Sequence, residues 1–172
     1  MPLPFGAPLI MDESWTAIGL GLGGNLGDAP ATLRQALRAL QDRGHIRIDR
    51  VSSFYRTAPW GPVAQPDFVN ACALGTTDLA PRALLDEIKA VETALGRVSS
   101  ERWGPRAIDI DILFYKGETV KTPDLVIPHE SLFQRAFVLV PLAEIDPDLE
   151  IGGRRVGEAI GRIDVSGVVP WT

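Results

Sequence analysis

Residues 102–115, Arg102-Trp-Gly-Pro-Arg-Ala-Ile-Asp-Ile-Asp-Ile-Leu-Phe-Tyr115, decide how the rest of the chain is read. From Ala107 to Phe114 the stretch predicts a strand. Successive side chains on a strand point to opposite faces, so Ile108, Ile110 and Ile112 line one face while Asp109 and Asp111 share the other. Two carboxylates side by side repel unless a cation lies between them, and oxygen ligands of this kind suit Mg²⁺ better than a softer metal. Taken alone, Asp-x-Asp is more often a half-exposed strand with solvated aspartates. The residues just before it shift that balance. Trp103, Gly104 and Pro105 predict a turn, and Arg102 and Arg106 bracket it with cations, an arrangement suited to polyphosphate oxygens.

Upstream, Trp15–Leu22 alternates small and apolar residues and predicts a first strand with Ile18, Leu20 and Leu22 on one face. A glycine loop, Gly23 to Asp28, follows it; it can bring backbone near a ligand or turn the chain sharply, lacks the Lys-Ser/Thr ending of a P-loop, and is read as a plain turn. Asp28 is the expected N-cap of a helix with Pro30 in its first turn, Leu33, Ala36, Leu37 and Leu40 at helical spacing, and Gly44 as its stop. Ile46–Tyr55 predicts a second strand. The run from Thr57 to Pro66, with three prolines and a glycine, predicts a long loop, either a functional lid, a binding loop or tolerated slack. Phe68–Thr76 predicts a third strand with Phe68, Asn70, Cys72 and Leu74 on one face. There an amide beside an aromatic ring suits a flat heterocycle that is stacked and read at its edge, and suits a solvated strand position equally. Pro81 opens a second helix whose stripe is Leu84, Ile88, Val91 and Leu95, with Glu92 at the border of the buried face and Gly96 as its end. Arg97 then starts a loop that leads cations to the Asp strand.

Strand, helix, strand, strand, helix, strand is the ferredoxin-like βαββαβ pattern of an α+β fold. The expectation is a four-stranded antiparallel sheet with the helices on one face and a C-terminal extension packed on it. That extension begins at Lys116 and holds a hairpin near Gly117, a turn at 127–130, an apolar run from Phe137 to Leu142, and a short strand or helix after Pro147. Residues 1–13 are read as a loose N-terminal extension and 14–172 as a single domain.

The 172 residues are 45% hydrophobic and 23% charged, enough for one substantial core. A net charge of -5 argues against a nucleic-acid partner held by counterion release, and against an RNA-binding module on the same sheet pattern, which would carry a basic surface and its own aromatic motif. Cys72 is the one cysteine, so neither an intrachain disulfide nor a thiolate metal cluster is available, and a reducing cytoplasm is expected. No stretch is long and apolar enough to span a membrane, and no Lys or Arg precedes Arg34 to start a signal peptide.

Taken together, Ser52-Ser53-Phe54-Tyr55-Arg56-Thr57, Gln65-Pro66-Asp67-Phe68-Val69-Asn70, Gly96-Arg97, Arg102 to Asp111, Pro128-His129, and Arg135-Ala136-Phe137 through Pro141-Leu142 resemble the 6-hydroxymethyl-7,8-dihydropterin pyrophosphokinases of folate synthesis. The resemblance spans roughly residues 16 to 150 in one order. It implies transfer of the β- and γ-phosphates of ATP, as one unit, to the hydroxymethyl oxygen of the pterin, leaving AMP. By the same resemblance Asp109 and Asp111 hold two Mg²⁺ ions, and Arg97 and Arg106 are catalytic, closing over the phosphates. Thr57, Ala58, Trp60, Phe68, Asn70, Trp103 and Phe137 are implied for the pterin. Glu92, Ile112, His129 and Arg135 join the two arginines on ATP. The substrates are then small molecules, and the chain is expected to act alone as a monomer. The chain departs from the family pattern at Gly24, Lys89, Ser99 and Glu130, mainly on the ATP side, and carries Phe68 where a Tyr would add a hydroxyl.

Overall fold

The computed structural model describes residues 14–59, 61–97 and 104–172. Its elements run β1 (Thr16–Gly24), α1 (Ala29–Asp42), β2 (Ile46–Val51), β3 (Tyr55–Thr57), β4 (Phe68–Thr77), α2 (Pro81–Ala94), β5 (Asp109–Tyr115), β6 (Val120–Thr122) and β7 (Leu125–Ile127). A 3₁₀ turn (Leu132–Gln134), α3 (Ala136–Ile145), β8 (Glu150–Ile151), β9 (Arg154–Arg155), α4 (Val156–Ala159), a second 3₁₀ turn (Ile160–Arg162) and β10 (Val169–Pro170) complete it. The main sheet runs β10-β3-β4-β1-β5, with β2 also on β4, and all its pairings are antiparallel. With β2 and β3 counted as one kinked strand, this is the expected ferredoxin-like order.

Both early helices start and stop where their sequences dictate. The Asp28 carboxylate accepts from the Ala31 backbone N–H at 3.2 Å to cap α1, and Gly44, at φ +85°, supplies the left-handed residue that ends it. Pro81 occupies the first turn of α2, where its missing N–H costs nothing, and Gly96 at φ +94° follows its end. Leu33 and Leu40 of α1 and Leu84 and Ile88 of α2 are fully buried against Ile18, Leu20, Leu22, Ile110 and Ile112 on one face of the sheet. Each such side chain contributes roughly 2 kcal/mol by leaving water. On the opposite face Cys72, Leu113, Leu132, Leu139, Leu142 and Val156 form a second core under α3 and α4, so the C-terminal extension covers the sheet as expected.

Several boundaries differ from the sequence reading. The first strand continues through Gly23 and Gly24 instead of ending at Leu22. A side chain at Gly24 would put Cβ 2.5 Å from the Ala107 carbonyl oxygen, so the bare backbone here serves close approach, not a turn. The second strand is split. Val51 pairs with Ala73 and Tyr55 with Asn70, so residues 52–54 face only residues 71–72 and the ladder cannot continue. Ser52 bridges the break by accepting from Cys72 N at 3.0 Å, and Glu144 of α3 accepts from Ser53 N and Tyr55 Oη. The fourth strand begins at Asp109, not Ala107, and carries a bulge: Leu20 faces Ile112 but Gly19 faces Phe114. Leu113 is the extra residue, and both it and Phe114 therefore enter the second core. The hairpin expected near Gly117 lies further on, as β6 and β7 around 122–125, while Gly117 at φ +79° only turns the chain out of β5. The sheet has six strands, not four, because β3 is separate and β10 from the C-terminal tail pairs with it. Residues 1–13, read as a loose extension, lie outside the described residues.

Candidate active site

Along the second sheet face, alternation sorts the strands into a covered half and an open half. Cys72 and Leu74 of β4 and Leu113 and Phe114 of β5 go under α3. The same face nearer the other end carries Phe68 and Asn70 of β4 and Asp109 and Asp111 of β5, with side-chain-free Gly21 and Gly23 of β1 between them. A cleft of about 570 Å³ results. Its further walls are Thr57, the last residue of β3, and Ala58 after it, Arg97, Gly104 and Arg106 of the loop before β5, His129, Ser131, Gln134 and Arg135 before α3, and Phe137 and Val138 of α3 itself.

One end of the cleft is charged. Asp109 Oδ1 accepts from Arg97 Nη1 at 2.6 Å and Oδ2 from Arg106 Nη1 at 3.0 Å, so two guanidiniums share one carboxylate. Arg97 is also ion-paired with Glu92, whose carboxylate accepts from Ile110 N at 2.9 Å. Burial pushes the Glu92 carboxyl above its usual range, against the opposing pull of Ile110 N–H and Arg97. Among the described residues, no guanidinium lies at hydrogen-bonding distance from Asp111. It keeps its carboxylate open to the cleft, at 38% side-chain exposure, yet is walled by protein on its other sides. That burial, then the neighbouring charge of Asp109, pushes its pKa up. His129 Nε2 stands 3.9 Å from Asp111 Oδ2, and its Nδ1 accepts from Ser131 N at 3.2 Å, which leaves Nε2 to carry the ring hydrogen. Burial and the Arg135 charge hold this imidazole below its ordinary pKa, hence neutral at physiological pH.

The other end is aromatic and amide-bearing. Asn70 is buried and donates through Nδ2 to Thr57 Oγ1 at 2.7 Å, which fixes the amide and turns Oδ1 toward Gly23. Phe68 and Phe137 contribute ring surfaces, and Arg135 lies 5.5 Å from the Phe137 ring centroid.

Of the residues implied by sequence, Thr57, Ala58, Phe68, Asn70, Arg97, Arg106, Asp109, Asp111, His129, Arg135 and Phe137 come together in this cleft. Two do not reach its surface. Glu92, read as a border residue, is 6% exposed and engaged by Arg97 and Ile110, and Ile112 points into the opposite core. Trp60, Trp103, Arg102 and Ser99 lie outside the described residues. Sequence reasoning passed over Ser131, Gln134 and, most of all, Asn25, whose only signal was an amide set in a glycine-rich turn.

The donor set fits a hard cation. Among the described residues no cluster of three or more His, Cys, Asp or Glu side chains encloses a metal. Among the described residues, Asp109 and Asp111 alone supply carboxylate oxygens to the cleft, which suits Mg²⁺ completed by water and phosphate oxygens better than a metal caged by protein.

Residues 19–147 match the family model described as 7,8-dihydro-6-hydroxymethylpterin-pyrophosphokinase. The 2-amino-4-hydroxy-6-hydroxymethyldihydropteridine pyrophosphokinase of Methylorubrum extorquens is 50% identical over 149 residues, covering 87% of this chain and 94% of the relative. The protein of the same name from Haemophilus influenzae is 42% identical over 137 residues, covering 80% and 86%. Among solved structures, Plasmodium falciparum HPPK-DHPS with pteroate superposes at a TM-score of 0.70 with 15% identity, a likeness of fold, over 86% of this chain and 42% of that one. The chain thus spans about two fifths of that solved protein.

Proposed function

Because the chain belongs to the 7,8-dihydro-6-hydroxymethylpterin-pyrophosphokinase family and so transfers pyrophosphate from ATP to 6-hydroxymethyl-7,8-dihydropterin in folate biosynthesis, we propose that this cleft is where both substrates meet. The observation that carries the reading is the sorting of the cleft into a charged end, with Asp109, Asp111, Arg97 and Arg106, and an amide-and-ring end, with Asn70, Thr57, Phe68 and Phe137.

The pterin lies at the second end. Its fused ring stacks on Phe68 and Phe137, and its edge is read by Asn70 together with backbone groups at Thr57 and Ala58. The amide is preorganised by its bond to Thr57, so little freedom is lost on binding. The triphosphate of ATP lies at the charged end, with Arg135 and His129 on its flank. Two Mg²⁺ ions held by Asp109 and Asp111 would neutralise the phosphate charge there. Arg97 and Arg106 exchange Asp109 for phosphate oxygens once ATP is bound, and stabilise the charge that develops during transfer. The hydroxymethyl oxygen attacks the β-phosphorus and loses its proton to water, the bond from that phosphorus to the α–β bridging oxygen breaks, and AMP leaves with the oxygen. Positioning and electrostatics account for this chemistry without a covalent enzyme intermediate. By the resemblance of their sequence motifs Trp60 and Trp103 are assigned to the pterin as well, and the protein works as a monomer in the cytoplasm.

Incubation with ATP, Mg²⁺ and the pterin, followed by chromatography of the adenine nucleotides, tests it. AMP formed only when the pterin is present supports the reading. Pterin-dependent ADP would mean single phosphoryl transfer, and unchanged turnover in Asp109→Ala and Asp111→Ala would overturn the assignment of the site.

A further inference from the structure

Asn25 follows the last residue of β1 and is 4% exposed, but it does not line the cleft. Its side chain is fully committed to two loops from opposite ends of the site. Nδ2 donates to Gln65 Oε1 at 2.9 Å and to the Pro66 carbonyl at 2.9 Å. Oδ1 accepts from Arg106 N at 2.9 Å, and the Asn25 backbone N–H donates to the Arg106 carbonyl at 3.0 Å. Gln65 and Pro66 lead directly into Phe68 and Asn70, the ring-binding wall. Arg106 leads into Asp109 and Asp111, the phosphate-binding wall.

We propose that Asn25 is a positioning residue that holds these two walls in register, fixing the distance between the pterin hydroxymethyl group and the β-phosphorus. This rests on the reading of the cleft given above. Three features of the geometry support it. An amide is the side chain that gives two donors to one loop and an acceptor to the other from a single rigid plane. Gly24, immediately before it, has no Cβ to hold β1 away from the Ala107 carbonyl, so the backbone pair with Arg106 can close. Asn25 itself is buried, so a bond lost at its amide leaves a polar atom with little access to solvent. Neither substrate touches Asn25 in this arrangement. Its loss should therefore spare binding of each substrate alone and impair their alignment, on which in-line transfer depends.

The test is steady-state kinetics of the full chain, beside equilibrium binding of the pterin and of a non-hydrolysable ATP analogue separately. Asn25→Asp is nearly isosteric and still accepts from Arg106 N, but sets a carboxylate oxygen against the Pro66 carbonyl. Its kcat is expected to fall about 10- to 100-fold, with each KM and each single-substrate affinity within about threefold of wild type. Gln65→Ala breaks one bond of the same link and should lower kcat less, and the double variant should fall no further than Asn25→Asp. Wild-type kcat in Asn25→Asp, or a loss of single-substrate affinity as large as the loss of kcat, overturns the proposal. If circular dichroism shows Asn25→Asp unfolded, Gln65→Ala decides: a lowered kcat with unchanged KM supports it, and an unchanged kcat overturns it. A wild-type chain that forms no pterin-dependent AMP would instead overturn the reading of the cleft.

Discussion

Nη1 of Arg97 stands 2.6 Å from Oδ1 of Asp109, and with Arg106 on Oδ2 both oxygens of that carboxylate are already used. A metal ion arriving at Asp109 meets two positive guanidiniums on the same carboxylate, and a guanidinium that yields to it becomes free for phosphate oxygens. Without nucleotide the two arginines therefore compete with the cation. Arg106→Ala is expected to tighten Mn²⁺ binding to the substrate-free protein by about three- to tenfold, read by electron paramagnetic resonance, while kcat drops about 100- to 1,000-fold. Weaker Mn²⁺ binding in the variant would mean that the guanidiniums orient the carboxylate instead of occupying it.

Asp111 is the uncomfortable member of the pair. It is walled in beside Asp109, with no cation in hydrogen-bonding contact among the described residues, and burial and the Asp109 charge both disfavour its ionisation. Asp111→Asn removes the repulsion at almost constant volume. The substrate-free variant should melt a few degrees above wild type and lose turnover entirely, the trade expected of a strained functional group. Differential scanning fluorimetry without metal or nucleotide measures the first effect, and AMP formation the second. A lower melting temperature would contradict the electrostatic account.

The fold was legible because the apolar periods agree with the tertiary packing: Leu33, Ala36 and Leu40, then Leu84, Ile88 and Val91, bury the stripes their spacing predicts. Asp109 and Asp111 could be placed on one face because strand alternation is local geometry. The strand break at residues 52–54 was not legible, since it depends on one residue too many against β4 and on Glu144, which is remote in sequence. The β5 bulge at Leu113 and the β10 edge strand are likewise set by partners, not by their own composition. Asn25 and Glu92 were hidden for the same reason, as their roles lie in bonds to loops that fold together only in three dimensions.

The strand break carries a pH signature. Tyr55 Oη donates to Glu144 Oε2 at 3.0 Å, and burial, then that bond and the Glu144 charge, push the phenol up to about 12. The folded pKa lies above the unfolded value of about 10, so this contribution is fully present below about pH 10 and is lost as pH rises through about 12. Tyr55→Phe should cost about 0.5–1.5 kcal/mol at neutral pH, measured by urea unfolding, with the gap from wild type closing toward the alkaline end. A gap that widened with pH would refute the assigned bond.

Glu92 separates two roles that sequence alone merged. A residue that contacts the nucleotide should change KM for ATP when altered. Here the carboxylate is buried behind the cleft, accepting from Ile110 N at 2.9 Å and pairing with Arg97, a geometry suited to aiming that guanidinium and to anchoring the start of β5. Glu92→Gln keeps an acceptor for Ile110 N and removes the charge that restrains Arg97. The variant is expected to stay folded and to lower kcat by about 10- to 100-fold, with KM for ATP within about threefold. Glu92→Ala, which strands a buried backbone N–H as well, should in addition lose about 1–3 kcal/mol of stability. A raised KM for ATP at unchanged kcat in Glu92→Gln would show that the carboxylate reaches the nucleotide after all and that the pairing with Arg97 is broken in the bound state.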